Sequence, residues 1–191
     1  YTSLLRREFD HLQAKYGIEP MRVKDWSLRE IRPANHPTLR LAQAAAFFRQ
    51  DDFVFDRMLA CRNEEDIEQL FCIEADNYWR DHYVPAVKQE NARPKRLGVF
   101  KAHILGINLV AMLQFAYGSY TGKERLRDGA MSLLETLPAE DNRYIRAWQN
   151  RGLRPRDSFE TQALLQLSTA HCLKKNCANC PVGRRILRTI K

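Results

Sequence analysis

The chain has 191 residues, of which 45% are hydrophobic and 28% charged, which is ordinary for a globular protein. Its length allows one well-buried core, and the lack of repeats or low-complexity segments excludes solenoids and disordered tails. The net charge of +8 is unevenly distributed. Residues 1–142 hold 20 basic and 21 acidic side chains, whereas residues 143–191 hold 11 basic side chains and only Asp157 and Glu160 as acids. Such a basic region attracts phosphates, so nucleic acid is the first partner to consider and a solubilising surface is the alternative.

The cysteine count and the apolar runs indicate where in the cell the protein is expected to be. Five cysteines are an odd number, and no secretory leader precedes them, which favours free thiols in the cytoplasm. The longest apolar run, residues 104–112, is shorter than the about 20 residues that a membrane span needs, so we expect no membrane partner. Because the sequence starts at Tyr1 without a methionine, we expect a fragment of a longer protein.

Helical periodicity dominates the chain, and no run alternates convincingly at the two-residue period of a half-buried strand. Thr2 or Ser3 is placed to cap a first helix that Gly17 ends, and Pro37 is placed to open a second helix. Asp157 and Glu160 form a predicted capping box. Residues 84–95 are predicted to be a linker between helical layers. The further predicted helices cover about residues 63–71, 98–117, 122–137, 139–151, 157–170 and 181–191.

These elements predict an all-α fold, namely a single multi-helix, bundle-like domain over residues 1–170. Residues 98–117 are apolar nearly all round, which is typical of a central helix surrounded by others. The aromatic residues Trp79 and Tyr83 and the neighbouring His82 are predicted to be core rather than a platform for bases. Residues 171–191 are predicted to form a small cysteine knuckle with a basic helix packed on it.

Three cysteines near the C-terminus have the spacing of metal ligands. Four residues separate Cys172 from Cys177 and two separate Cys177 from Cys180, so their thiolates can converge on one tetrahedral ion. We predict zinc, with an iron–sulfur cluster as the alternative and metal-free thiols as the remaining interpretation. A fourth ligand is required, and the candidates are His171, His36, His82, His103, Cys61 and Cys72.

A basic surface surrounds these cysteines. On the last helix, a cationic arc lies opposite an apolar arc that is expected to pack against the protein, so the cations are predicted to contact phosphates, of DNA more than of RNA. The predicted nucleic-acid-binding residues are Lys174, Lys175, Arg184, Arg185, Arg188 and Lys191.

The start of the helix after Pro37 is a candidate for a second anion site. Free backbone N–H groups at such a start, together with Arg32 and Arg40, can hold a phosphate or carboxylate next to Asn35 or His36. An ordinary capped helix is the more common explanation of this pattern.

Two resemblances extend this interpretation. The run His171-Cys-Leu-Lys-Lys-Asn-Cys-Ala-Asn-Cys180 resembles the first three cysteines of the iron–sulfur loop in helix-hairpin-helix DNA glycosylases, in which neighbouring basic residues meet the DNA backbone. Longer stretches resemble the uncharacterised bacterial domain-of-unknown-function 2851 family. They include Arg32-Pro-Ala-Asn-His-Pro-Thr-Leu-Arg-Leu-Ala-Gln43, Tyr78-Trp-Arg-Asp-His-Tyr83, Lys95-Arg-Leu-Gly98, Phe115-Ala-Tyr-Gly118, Leu134-Glu-Thr-Leu-Pro-Ala-Glu-Asp-Asn142 and the terminal cysteine run. This similarity spans nearly the whole chain. The second resemblance implies the C-terminal half of a longer protein with a nuclease-like N-terminal domain.

No catalytic motif is identifiable, so the sequence does not predict an enzyme. The leading hypothesis is a helical module that binds nucleic acid through its basic C-terminal surface, as part of a nuclease-like or DNA-processing protein. The alternative is a helical interaction or scaffold module with structural cysteines. An enzyme that uses the metal itself needs a nearby acid or base, for which Asp157 and Glu160 are the nearest candidates in sequence.

Overall fold

A computed structural model describes residues 1–26 and 31–189 of the chain. The prediction that the protein is mostly helical is confirmed, because the described residues contain only one small two-stranded hairpin. The helices are α1 (Thr2–Tyr16), α2 (Pro37–Arg49), α3 (Val54–Ala60), α4 (Glu64–Phe71), α5 (Val99–Leu105), α6 (Met112–Thr121), α7 (Glu124–Thr136), α8 (Arg143–Gln149), α9 (Ser158–Gln166) and α10 (Pro181–Thr189). Short π-helical segments, Gly106–Ala111 and Leu167–Cys172, follow α5 and α9.

The chain forms two compact units where the sequence predicts a single bundle. Unit 1 comprises Tyr1–Val54 and Gln69–Gly98, and unit 2 comprises Phe55–Glu68 and Val99–Lys191, so the division falls inside α4. Neither unit ends near residue 171, and the predicted boundary there stays a prediction.

Unit 1 is organised around a small aromatic core. Leu39 of α2 packs with Ala75, Trp79 and Tyr83, all of which are buried. The prediction that Trp79 and Tyr83 are core is therefore confirmed. Tyr1 stacks on Tyr78 with 3.8 Å between ring centroids, and its hydroxyl accepts a hydrogen bond from Trp79 Nε1.

The predicted linker is instead a hairpin within unit 1. Strand β1 (His82–Val84) pairs antiparallel with β2 (Val87–Lys88), and Ala86 turns the chain with a φ of 65°. Beyond the hairpin, Lys95 is buried, and its Nζ donates to Arg80 O at 2.7 Å. The hairpin escapes a search for alternation because its strands are only three and two residues long.

Unit 2 is built on the continuous helical run Val99–Thr121, which confirms the predicted helix. Ala102, Val110 and Gln114 are completely buried along it. The prediction that other helices surround it is wrong in part, because Phe100, Met112 and Phe115 are 59%, 63% and 47% exposed. A Cβ atom on Gly106 would lie 3.0–3.2 Å from carbon atoms of the Ile67 and Leu137 side chains, so glycine permits this close packing. The run has 23 residues and is long and apolar enough to cross a membrane by length and composition, a test that core helices also pass.

Most helix ends follow the local signals. Gly17 ends α1 in the left-handed conformation, with a φ of 65°. The capping residue of α1 is Tyr1 rather than Thr2 or Ser3, and no side chain caps this end. Helix α8 starts at Arg143, later than predicted, because the Asn142 side chain accepts hydrogen bonds from the two backbone N–H groups that follow Arg143.

Candidate nucleic-acid interface

The basic C-terminal surface is carried by α10 and the turn before it. Pro181 occupies the first helical position, as predicted, and Arg184 N donates to Cys180 O at 2.8 Å. Helix α10 packs against the 3₁₀ turn Cys177–Asn179. A Cβ atom on Gly183 would overlap the Cys177 carbonyl oxygen, so this glycine lets the helix backbone lie directly on the turn. Backbone contacts therefore define the position of α10.

Five of the six predicted nucleic-acid-binding residues are described, and all five are exposed: Lys174, Lys175, Arg184, Arg185 and Arg188. Within the described part of the chain, none of them forms an ion pair with a carboxylate. The sixth, Lys191, lies outside the described residues. We call the five described cations the basic tail surface.

Two other basic side chains of the C-terminal region have local acids as partners. Arg146 pairs with Asp141 at 2.8 Å, and Arg156 pairs with Glu160 at 2.6 Å. Hydrogen bonds from Arg156 lower the pKa of Glu160. The local net charge therefore overstates the number of cations that are free to meet a ligand.

The apolar arc of α10 does not pack against the protein as predicted. Val182, Ile186 and Leu187 are 51%, 54% and 55% exposed, and no described residue of α10 is buried. Helix α10 contacts the 3₁₀ turn Cys177–Asn179 mainly through its own first turn. The apolar side chains of α10 therefore extend beyond this contact. The cationic arc and the apolar arc of α10 are thus both exposed to solvent. The amphipathic pattern of the sequence does not reveal that the apolar arc is exposed.

The structure does not bring the predicted metal ligands together. Cys172 and Cys177 are exposed, whereas Cys180 is buried with 5% exposure. Among the residues that the structure describes, no three donor atoms of His171, Cys172, Cys177 and Cys180 lie within 4.8 Å of one another. The spacing permits convergence, but three of these donor atoms do not come together in the described residues.

His171 is the one predicted ligand with an unusual environment. Its Nδ1 atom is buried and, within the described residues, has no hydrogen-bond partner. Lys175, four residues later, has a φ of 52°, and its backbone N–H donates to Cys172 O at 3.0 Å. The left-handed residue ends the helical segment and exposes the Lys174 and Lys175 side chains.

The second anion site has internal partners for most of its polar groups. Thr38 N donates to His36 Nδ1 at 3.4 Å, so His36 caps α2. Arg40 donates to Asn35 Oδ1 at 2.5 Å and to Gln43 Oε1 at 2.8 Å, and burial lowers its pKa. Arg32 and Asn35 are exposed, whereas His36 and Arg40 are half-buried. This arrangement is a capped helix whose arginine braces the preceding turn, and anion binding here stays a prediction.

Sequence reasoning missed a cluster of metal-ligating side chains in unit 2. Glu64 and Glu68 of α4 converge on the imidazole of His103 in α5, and the three donor atoms lie within 4.8 Å of one another. The four-residue spacing of the glutamates was the available signal, because it places both on one helix face. The pairing with His103 depends on how α4 and α5 pack.

A family model described as a protein of unknown function (DUF2851) matches residues 1–143. The chain belongs to the DUF2851 family. The match covers α1 to α7 and ends at the first residue of α8, so the cysteine run and the basic tail surface lie beyond it. No curated protein and no solved structure matches the chain. The glycosylase-like cysteine loop and the placement in the C-terminal half of a longer protein stay predictions.

Proposed function

We propose that this DUF2851 chain binds nucleic acid through the basic tail surface. The observation that carries the proposal is a set of five exposed cations that lack carboxylate partners among the described residues, on a helix and turn at one end of the chain. Arg184 and Arg188 are four residues apart and share one face of α10. Such a cluster on a helix suits the backbone of a polyanion better than a single small anion.

The number of cations sets the expected salt dependence. If all five contact phosphates of duplex DNA, the slope of log K against log salt is about −4.5, since each contact contributes about −0.9. Affinity then falls about 500-fold between about 50 and 200 mM salt. Single-stranded nucleic acid contributes about −0.7 per contact, so the slope falls to about −3.5.

The test is fluorescence anisotropy with a short labelled duplex and a single strand, over a salt series. Reversing Arg184 and Arg185 to glutamate leaves three contacts and reduces the expected duplex slope to about −2.7. The matched control reverses Arg6 and Arg7, an adjacent and exposed arginine pair on α1. This control changes the net charge by the same amount, so equal losses in both variants would contradict a specific role for α10.

A protein-interaction or scaffold module is the second candidate. The exposed apolar arc of α10, Val182, Ile186 and Leu187, favours it, because a nucleic-acid backbone does not need this surface. Replacing Ile186 with serine leaves the salt slope for duplex DNA unchanged under our proposal. Absence of any duplex binding by the wild-type protein would remove the first candidate and leave the scaffold function.

Zinc at His171, Cys172, Cys177 and Cys180 is a further part of the proposal, with an iron–sulfur cluster as the alternative. The exposed thiols and the unpartnered Nδ1 of His171 support it. The donor atoms must move together before one ion can bind all four, since no three of them are close in the described residues. Elemental analysis and visible absorption of the pure protein distinguish zinc, an iron–sulfur cluster and free thiols.

The wider role is proposed on resemblance alone. A nuclease-like N-terminal domain beside this chain gives a DNA-binding tail a clear use, since the tail then holds the substrate near the cutting domain. The preference for DNA over RNA rests on the same resemblance. Competition of unlabelled RNA against the labelled duplex measures that preference directly.

A further inference from the structure

We propose that Glu64, Glu68 and His103 form a binding site for a divalent transition-metal ion such as Zn²⁺. All three residues belong to unit 2, and the site is separate from the cysteine run. Their donor atoms lie within 4.8 Å of one another. The ligand set is two carboxylates and one imidazole, which leaves a coordination position open to water.

The distances fit a shared ion. His103 Nε2 lies 3.3 Å from Glu64 Oε1 and 3.1 Å from Glu68 Oε1. Ligands about 2.0–2.2 Å from zinc, at tetrahedral or octahedral angles, are separated from each other by about 2.9–3.6 Å. The two distances from the imidazole therefore match those between ligands of one ion, and the two glutamate oxygens lie within 4.8 Å of each other.

Burial and charge separate this cluster from an ordinary surface ion pair. His103 is only 8% exposed, while the glutamate side chains are 46% and 36% exposed, so an imidazole anchored in the protein faces two carboxylates that solvent can reach. Within the described residues, no lysine or arginine pairs with either glutamate. Even a protonated histidine leaves one negative charge uncompensated, and a divalent cation supplies the missing charge.

Helix electrostatics explain only part of the arrangement. Glu64 lies in the first turn of α4, where an acidic residue is favoured by the helix dipole. Glu68 lies beyond that turn, yet it points to the same imidazole. Neighbouring Ile67 is completely buried, so the packing of this side chain orients α4 with both glutamates near His103.

The donor chemistry selects the metal class. Imidazole nitrogen is a good ligand for zinc, cobalt, iron and copper, whereas magnesium and calcium prefer sites made entirely of oxygen. We therefore expect Zn²⁺ and Co²⁺ to bind with one ion per chain, and millimolar Mg²⁺ or Ca²⁺ not to displace them.

The experiment uses the chelator-treated full chain in which Cys172, Cys177 and Cys180 are replaced by serine, so that the thiolates of the cysteine run cannot contribute. Titration with Co²⁺ is followed by its visible absorption and by calorimetry, and Zn²⁺ binding is followed by the NMR shift of the His103 imidazole nitrogens. We expect a one-to-one complex. Glu68→Gln should weaken it by more than the about 10- to 100-fold typical of losing an outer hydrogen-bond partner of a ligand.

Glu65→Gln is the matched control, because Glu65 is exposed on the same helix and the charge change is identical. It should retain the wild-type affinity. Glu64→Gln serves as a second ligand variant if Glu68→Gln unfolds. Equal weakening by Glu65→Gln, or no Co²⁺ binding without the cysteines, would overturn the proposal and leave a buried histidine paired with two carboxylates. The DNA-binding test does not depend on this outcome, since its variants lie on α10.

Discussion

Gly118 of α6 lies close to the start of α7. A Cβ atom there would lie 2.9 Å from Leu126 Cβ and 3.0 Å from both Arg127 N and Lys123 O. Two of these atoms belong to the backbone, and the third is fixed to it, so rotation of a side chain cannot relieve the overlap. The Gly118→Ala variant must therefore separate α6 from the first turn of α7.

Two opposing contributions decide whether Gly118→Ala raises or lowers the free energy of unfolding. Alanine in place of glycine inside a helix stabilises it by about 0.5–1 kcal/mol. Overpacking of a close contact costs about 1–3 kcal/mol. We expect Gly118→Ala to lower the free energy of unfolding by about 1 kcal/mol, because the backbone overlap outweighs the gain in helix propensity.

Gly129→Ala is the matched control. Gly129 lies inside α7, and a Cβ atom there has no neighbour within 4 Å, so only the gain in helix propensity remains. The two variants should therefore differ by about 2 kcal/mol, or about 4–8 °C in Tm for a protein of this size. Urea unfolding and thermal unfolding, both followed by circular dichroism, measure this difference. Equal stability of the two variants would refute the steric reasoning.

Three further predictions concern buried or paired polar groups. Gln114→Leu should lower the free energy of unfolding by about 1–3 kcal/mol in urea denaturation, because Gln114 Nε2 donates to two backbone carbonyls at 2.8 and 2.9 Å and is completely buried. Iodoacetamide should label Cys177 quickly and Cys61 slowly, as mass spectrometry can measure, since burial raises the pKa of Cys61 to about 11. Arg156→Gln should return the pKa of Glu160 towards its ordinary value of 4.5 in an NMR titration, since Arg156 hydrogen bonds lower it.

Each of these predictions has a contradicting result. Full stability after the Gln114 substitution would mean that the two carbonyls find other partners. Equal labelling rates would show that Cys61 is accessible. The ion pair between Arg156 and Glu160 stabilises the fold at pH values above the ordinary pKa of Glu160. This contribution is lost as the pH falls through the lowered pKa of Glu160. The free energy of unfolding of Arg156→Gln should therefore depend less steeply on pH in the acid range. An unchanged pKa of Glu160 in this variant would contradict the effect that we assign to Arg156.

Helix ends are the part of the fold that the sequence predicts best, because a cap depends on a few adjacent residues. Asp157 caps α9 as predicted, with its side chain accepting from Glu160 N at 2.9 Å. The reciprocal bond differs by one residue, since Glu160 accepts from Arg156 N. Short elements such as β1 and β2 were missed because five residues carry too little periodicity.

Some features of the candidate sites are likewise visible in the sequence, and others are not. The basic tail surface is visible in the sequence because charge is a property of composition, and no acid follows Glu160. The exposure of Val182 and Ile186 is not visible there, because an apolar arc on a helix indicates a partner without showing whether the fold supplies one. Cysteine spacing likewise shows which thiols are near along the chain but not which way the turns point them.

Local composition and spacing are enough to predict the helical class, the positions of most helix ends and the concentration of positive charge near the C-terminus. The meeting of Glu64 and Glu68 with His103, which is 35 residues beyond the second glutamate, becomes visible only once the helices are packed. The same is true of the cysteine donor atoms, which do not cluster in the described residues. Contacts between distant residues depend on how whole helices pack. The energy of that packing is distributed over many side chains, so no single sequence motif predicts it.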